Sequence, residues 1–108
     1  MRELKEGKRL TIFVGEDKQF EGKPLYIAVL ELLKRSDIAG ATATKGFSGF
    51  HCGGQLHSTS TEYLIVDLPV VVEAIDEAAK IDSAIEKVCL LPDLALVEVT
   101  PITLITNL

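Results

Sequence analysis

Apolar and polar residues alternate strictly in the stretch KRLTIFVG, where Leu10, Ile12 and Val14 stand against Arg9, Thr11 and Phe13. A period of two with one strongly apolar side predicts a β-strand that buries one face. After the loop GEDKQFEGK the period lengthens. In PLYIAVLELLKRS, Leu25, Val29, Leu32 and Leu33 recur at helical spacing, with Glu31, Lys34 and Arg35 on the opposite side. Pro24 sits in the first turn, where a helix tolerates it, and Lys34 and Arg35 complement the C-terminal dipole. DIAG ends this helix and ATATK is β-prone, which predicts strand, helix, strand.

The run TEYLIVDLPVVVEAID is apolar with one internal proline. Pro69 cannot donate to a ladder, so it predicts a bulge or an edge within a bent strand. Asp76 is placed as the N-cap of a second helix, with Ala78, Ile81, Ala84, Ile85, Val88 and Cys89 on its buried face and Pro92 closing the region. LALVEVT reads as a further strand, and ITLITN, beyond Pro101, as a short last one. The order predicts one α+β domain over residues 1–108: a ferredoxin-like βαββαβ sandwich, a four-stranded antiparallel sheet with both helices on one face, plus a short C-terminal strand. The other face is left open. Phe13, Tyr63 and Ile65 would then form an apolar patch that self-association removes, and ITLIT could pair with an edge of a neighbouring subunit.

Composition agrees with a subunit that hides surface against its own copies: 47% of the residues are hydrophobic, with a mean hydropathy of +0.28, in only 108 residues. The formal net charge of −5 argues against nucleic acid or an anionic membrane as partner. Arg2, Lys5, Lys8 and Arg9 cluster near the start and read as a solvated tail rather than a binding patch. Two cysteines make no disulfide framework, no apolar run is long enough to span a bilayer, and MRELKEGKRL lacks the apolar core of a signal peptide. A reducing cytoplasm is the expected location.

The stretch GATATKGFSGFHCGG holds five of the eight glycines. Glycines at 46, 49, 53 and 54 allow positive φ and leave backbone N–H groups uncovered, with Lys45 beside them as a charge. Two readings stay open: a mobile hairpin loop, or a loop that closes on a ligand. In HCGGQLH, His51, Cys52 and His57 offer three donors to zinc or copper, but no fixed pair spacing sets a geometry. HSTST supplies hydroxyls without an elbow motif, Asp67, Glu73, Asp76 and Glu77 read as strand-end and capping carboxylates, and Cys89 as a small core hydrophobe. No catalytic residue is nominated, and a non-enzymatic protein is expected.

Two longer stretches, GKPLYIAVLELLKRSDIAGATATKGFSGF and STEYLIVDLPVVVEAIDEAAKI, resemble the PII signalling proteins, and more closely the small PII-like family related to the nitrogen regulatory PII proteins. The resemblance implies a cytoplasmic, ferredoxin-like homotrimer with its open sheet faces turned inward. It further implies an effector, usually an adenine nucleotide, in the cleft between subunits at the base of a T-loop whose tip engages a membrane transporter or an enzyme. That base falls on Lys45, Gly46, Phe47, Ser48 and Gly49, with Phe47 or Phe50 able to stack on a ring. The return arm falls on His57, Ser58 and Thr59, and Lys18, Lys23 and Tyr26 are further candidates for the cleft. Where PII proteins carry a second phosphate loop rich in Gly and Lys, this chain reads CLLPDLALVEV. A less charged adenine ligand, or none, is therefore expected over ATP. A trimeric metal-binding protein resembling the divalent-cation tolerance proteins, using His51, Cys52 and His57, and a ligand-free adaptor are the alternatives.

Overall fold

The computed structural model describes residues 1–46, 48–49, 57–58 and 68–108, the two dipeptides by their backbone alone. Along the chain run β1 (Glu3–Gly15), β2 (Gln19–Phe20), β3 (Lys23–Pro24), α1 (Leu25–Arg35), β4 (Gly40–Lys45), β5 (Ser48–Gly49), β6 (His57–Ser58), β7 (Pro69–Glu77), α2 (Ala78–Val88) and β8 (Leu96–Thr106). The main sheet has the order β4-β7-β1-β8 with every neighbour antiparallel. This is the ferredoxin-like arrangement that the alternation of periods predicts. No helix among the described residues is long and apolar enough to cross a membrane.

One face of the sheet meets both helices. Leu10, Ile12 and Val14 of β1 and Val70, Val72 and Ala74 of β7 pack on Leu25, Ala28, Val29 and Leu33 of α1 and on Ile81, Ala84 and Val88 of α2. Alternation in the strands and the three-to-four spacing in the helices thus converge on one apolar layer. The short β2–β3 hairpin delivers the chain to α1, with Glu21 at φ 50° and Gly22 at φ 81° making the turn.

Several expectations are corrected. Strand β1 begins at Glu3, so Lys5, Lys8 and Arg9 belong to the sheet rather than to a tail. They pair with Glu77 (3.2 Å), Asp82 (2.6 Å) and Glu73 (3.7 Å) respectively. Pro69 is neither at an edge nor in a bulge; it is the first residue of β7, an interior strand, a position that asks for no bulge. Asp76 is not the N-cap of α2, which is Glu77 with no side-chain cap. Instead the Asp76 carboxylate is buried and accepts the N–H groups of Ala39 (2.8 Å) and Glu77 (2.7 Å), fastening the approach to β4 to the approach to α2.

Helix α2 ends at Val88, and Cys89, its C-cap, is exposed instead of facing the core. Pro101 does not divide the last strand. It lies opposite Lys8 within a continuous β8, at the sheet edge, where a missing N–H on the outer side breaks no ladder. The open face is also less apolar than expected: Thr42, Glu73, Thr11 and Glu98 stand in register across all four strands. Phe13 is half-buried on that face, and Tyr63 and Ile65 lie outside the described residues.

Candidate functional site

Three backbone segments converge where β4 and β1 end and β7 begins. The N–H of Glu16 donates to the carbonyl of Leu68 (2.8 Å), and the N–H of Gly46 donates to the carbonyl of Pro69 (2.7 Å). Lys45, the last residue of β4, stands opposite Val70, and Val14 stands opposite Val70 from the other side. The end of β1 and the root of the glycine-rich segment are thus tied to consecutive carbonyls at the start of β7.

Gly46 is required here for closeness rather than for φ. Among the described glycines only Gly22 has positive φ, whereas a Cβ on Gly46 would lie 2.9 Å from Pro69 Cγ and 3.3 Å from the Pro69 carbonyl oxygen. The expectation of a positive-φ turn at residue 46 is thus replaced by a steric one. Beyond it, Ser48 pairs with Ser58 and Gly49 with His57 in a short antiparallel ladder, so the base and the return arm do meet. Phe47, Phe50, His51, Cys52 and Thr59 lie outside the described residues, as do the side chains of Ser48, His57 and Ser58.

At this root Glu16, Tyr26, Ala43, Lys45 and Val70 line a pocket of about 190 Å³. Tyr26 comes from the first turn of α1, whose entry the Leu25 N–H fixes by donating to the Lys18 carbonyl (2.8 Å). Lys45 Nζ is 3.0 Å from Glu16 Oε2, and the two side chains are 56% and 38% exposed. The pocket combines a cation, a carboxylate and a phenol over an apolar floor, the few convergent polar groups on an apolar lining that small-ligand sites share.

Of the sequence candidates, Lys45 and Tyr26 are brought together and Gly46 adjoins them. Lys23 is not; its ammonium pairs with Glu31 at 3.1 Å on the outer side of α1. Lys18 contributes its backbone carbonyl to the α1 entry, and its side chain is not part of the pocket wall. Glu16 was not anticipated. Its only signal is an acidic residue directly after a strand that ends in glycine, and its partner is distant in the chain. No group of three His, Cys, Asp or Glu side chains that could hold a metal occurs among the described residues. A larger groove of about 440 Å³, lined in part by Phe20, Leu32, Arg35, Lys87 and Leu90, contains none of the candidates.

Comparison with known proteins gives the chain its relatives. It is 40% identical over 88 residues to the UPF0166 protein of Aquifex aeolicus (strain VF5), covering 82% of this chain and 83% of that one. It is 34% identical over 82 residues to UPF0166 protein MJ1524 of Methanocaldococcus jannaschii, covering 76% and 75%. Its fold is similar to that of CPII, a nitrogen regulatory PII-like protein from Thiomonas intermedia K12 solved with ADP, AMP and bicarbonate. That match has a TM-score of 0.67 at 17% identity, over 94% of this chain and 91% of CPII. The fold is thus that of PII-like proteins. Residues 7–104 match the DUF190 model, "Uncharacterized ACR, COG1993", and with nearly the whole sheet and both helices inside that match, the chain belongs to the DUF190 family.

Proposed function

We propose that this protein is a PII-like regulator that acts as a cytoplasmic homotrimer. It binds a small effector of the adenine-nucleotide class in the cleft between subunits. Through the segment 45–58 it then regulates a partner, a transporter or an enzyme. The observation that carries this reading is the pocket at the root of that segment, where Lys45 and Tyr26 converge beside the Gly46 backbone. At about 190 Å³ the pocket is smaller than the roughly 300–1,000 Å³ of drug-sized ligand sites, so a second subunit would have to supply the rest of a nucleotide's surroundings.

The connection from α2 to β8 supports a ligand less charged than ATP. Residues 89–95 contain Asp93, at φ 64°, and no lysine or arginine to meet a phosphate. CPII, of the same fold, was solved with ADP and AMP. Lys45 would face the anionic group, and the effector must favour one state of the segment over another to regulate anything.

The test is calorimetric titration of the purified, metal-free protein with ATP, ADP, AMP and cyclic AMP, repeated on Lys45→Ala and Gly49→Val. Saturable binding is expected, with ADP or AMP tighter than ATP and both variants weaker. No binding to any of the four, or binding that both variants leave intact, would overturn this reading.

A further inference from the structure

Lys45 does not offer a bare cation. Glu16 holds its ammonium at 3.0 Å, and both residues line the same pocket with Tyr26. The two charges reach each other across the start of β7. Each is tethered through its own stretch of main chain, Glu16 to Leu68 and the residue after Lys45 to Pro69. The sheet therefore sets the two residues side by side, while their half-exposed side chains close the pair. Because the two line one pocket 3.0 Å apart, an anionic group that docks on Lys45 there comes up beside Glu16.

We infer that Glu16 is the specificity-determining residue of this site: it competes internally for Lys45, so the ligand must bring an anionic group strong enough to displace it. This inference rests on the reading of the pocket proposed above. A half-exposed ion pair is weak, because both groups regain water when it opens, so the competition sets a threshold rather than a block. A diphosphate crosses that threshold. A neutral nucleoside gains nothing from Lys45 and leaves the pair closed. The displaced carboxylate then stands as a like charge beside the bound anion and lowers its affinity further. Removing that carboxylate should strengthen anion binding while leaving the neutral analogue alone, a split that a merely structural role for Glu16 would not produce.

The experiment titrates ADP and adenosine into the full chain as wild type, Glu16→Gln, Glu16→Ala and Lys45→Ala, with thermal melting to confirm that each variant folds. Glu16→Gln and Glu16→Ala are expected to bind ADP about three- to tenfold more tightly than wild type, with adenosine unchanged. Lys45→Ala should bind the two ligands alike. If wild type binds ADP and both Glu16 variants bind it equally or more weakly, or gain equally for adenosine, the inference is overturned and the proposed function stands. If neither wild type nor a folded Glu16 variant binds ADP, the inference and the nucleotide reading fall together.

Discussion

The two faces of the sheet are made by the same strands and follow opposite rules. On the covered face Leu10, Ile12 and Val14 of β1 and Val70, Val72 and Ala74 of β7 alternate as apolar, almost fully buried residues, and the helices complete the layer. On the open face a row of Thr42, Glu73, Thr11 and Glu98 crosses all four strands, followed by a row of Thr44, Val71, Phe13 and Leu96. Thr11, on the face away from the helices, is only 7% exposed and stands in register between Glu73 and Glu98. One face is closed by packing, and the other is organised by charge. A second copy laid on the open face would have to match carboxylates and hydroxyls as well as cover Phe13 and Leu96, which gives such a contact specificity that a plain apolar patch lacks.

The contrast breaks most visibly from the packed side. Leu10→Ala empties a fully buried position of the core layer and should cost about 2–5 kcal/mol in urea unfolding. A loss below about 1 kcal/mol would mean that the layer collapses around the gap and that packing is not what holds the covered face. Asp76→Ala tests the one buried carboxylate among the described residues. It removes the acceptor for two backbone N–H groups and should cost about 1–3 kcal/mol. Hydrogen exchange at Ala39 and Glu77 is expected to accelerate, and unchanged protection there would show that other acceptors take over.

The smallest effect belongs to the open face. Hydrogen bonding and attraction to Glu77, with a further contribution from Glu3, hold the Lys5 ammonium above the ordinary lysine value of 10.5. A lysine whose folded value is raised contributes stability that is fully present below its unfolded value and is lost as pH rises through the folded one. The urea midpoint of wild type should therefore fall towards that of Lys5→Met only above pH 10.5, and parallel curves at alkaline pH would remove the pair from the account.

How much of this was legible depended on how local each cause is. The strand at Leu10, Ile12 and Val14 and the helix at Leu25, Val29 and Leu33 are written in short-range periods and appear where those periods place them. Pro101 reads as a break only because sequence does not mark a strand as outermost; at an interior position it would have been one. Cys89 follows the spacing of the buried face, but the helix stops one residue before it. Asp76 has the composition of a cap and the position of a strand end, and its partner Ala39 lies 37 residues away. The site divides in the same manner. Lys45, Gly46 and Tyr26 fall in stretches that resemble a known family, whereas Glu16 gains its role from a contact with Lys45 that no local pattern announces.

The central place of β1 has a consequence for how the chain is made. Both of its neighbours, β7 and β8, come from the second half of the sequence, so the first forty-six residues contain no sheet partner for β1 among the described strands. A ribosome delivering this chain presents an apolar strand and an amphipathic helix long before either can be completed. The native sheet forms only when Glu3 to Phe13 meets a strand more than eighty residues downstream, between Leu96 and Thr106. Such a topology folds late and as a whole, with long-range pairing setting its pace.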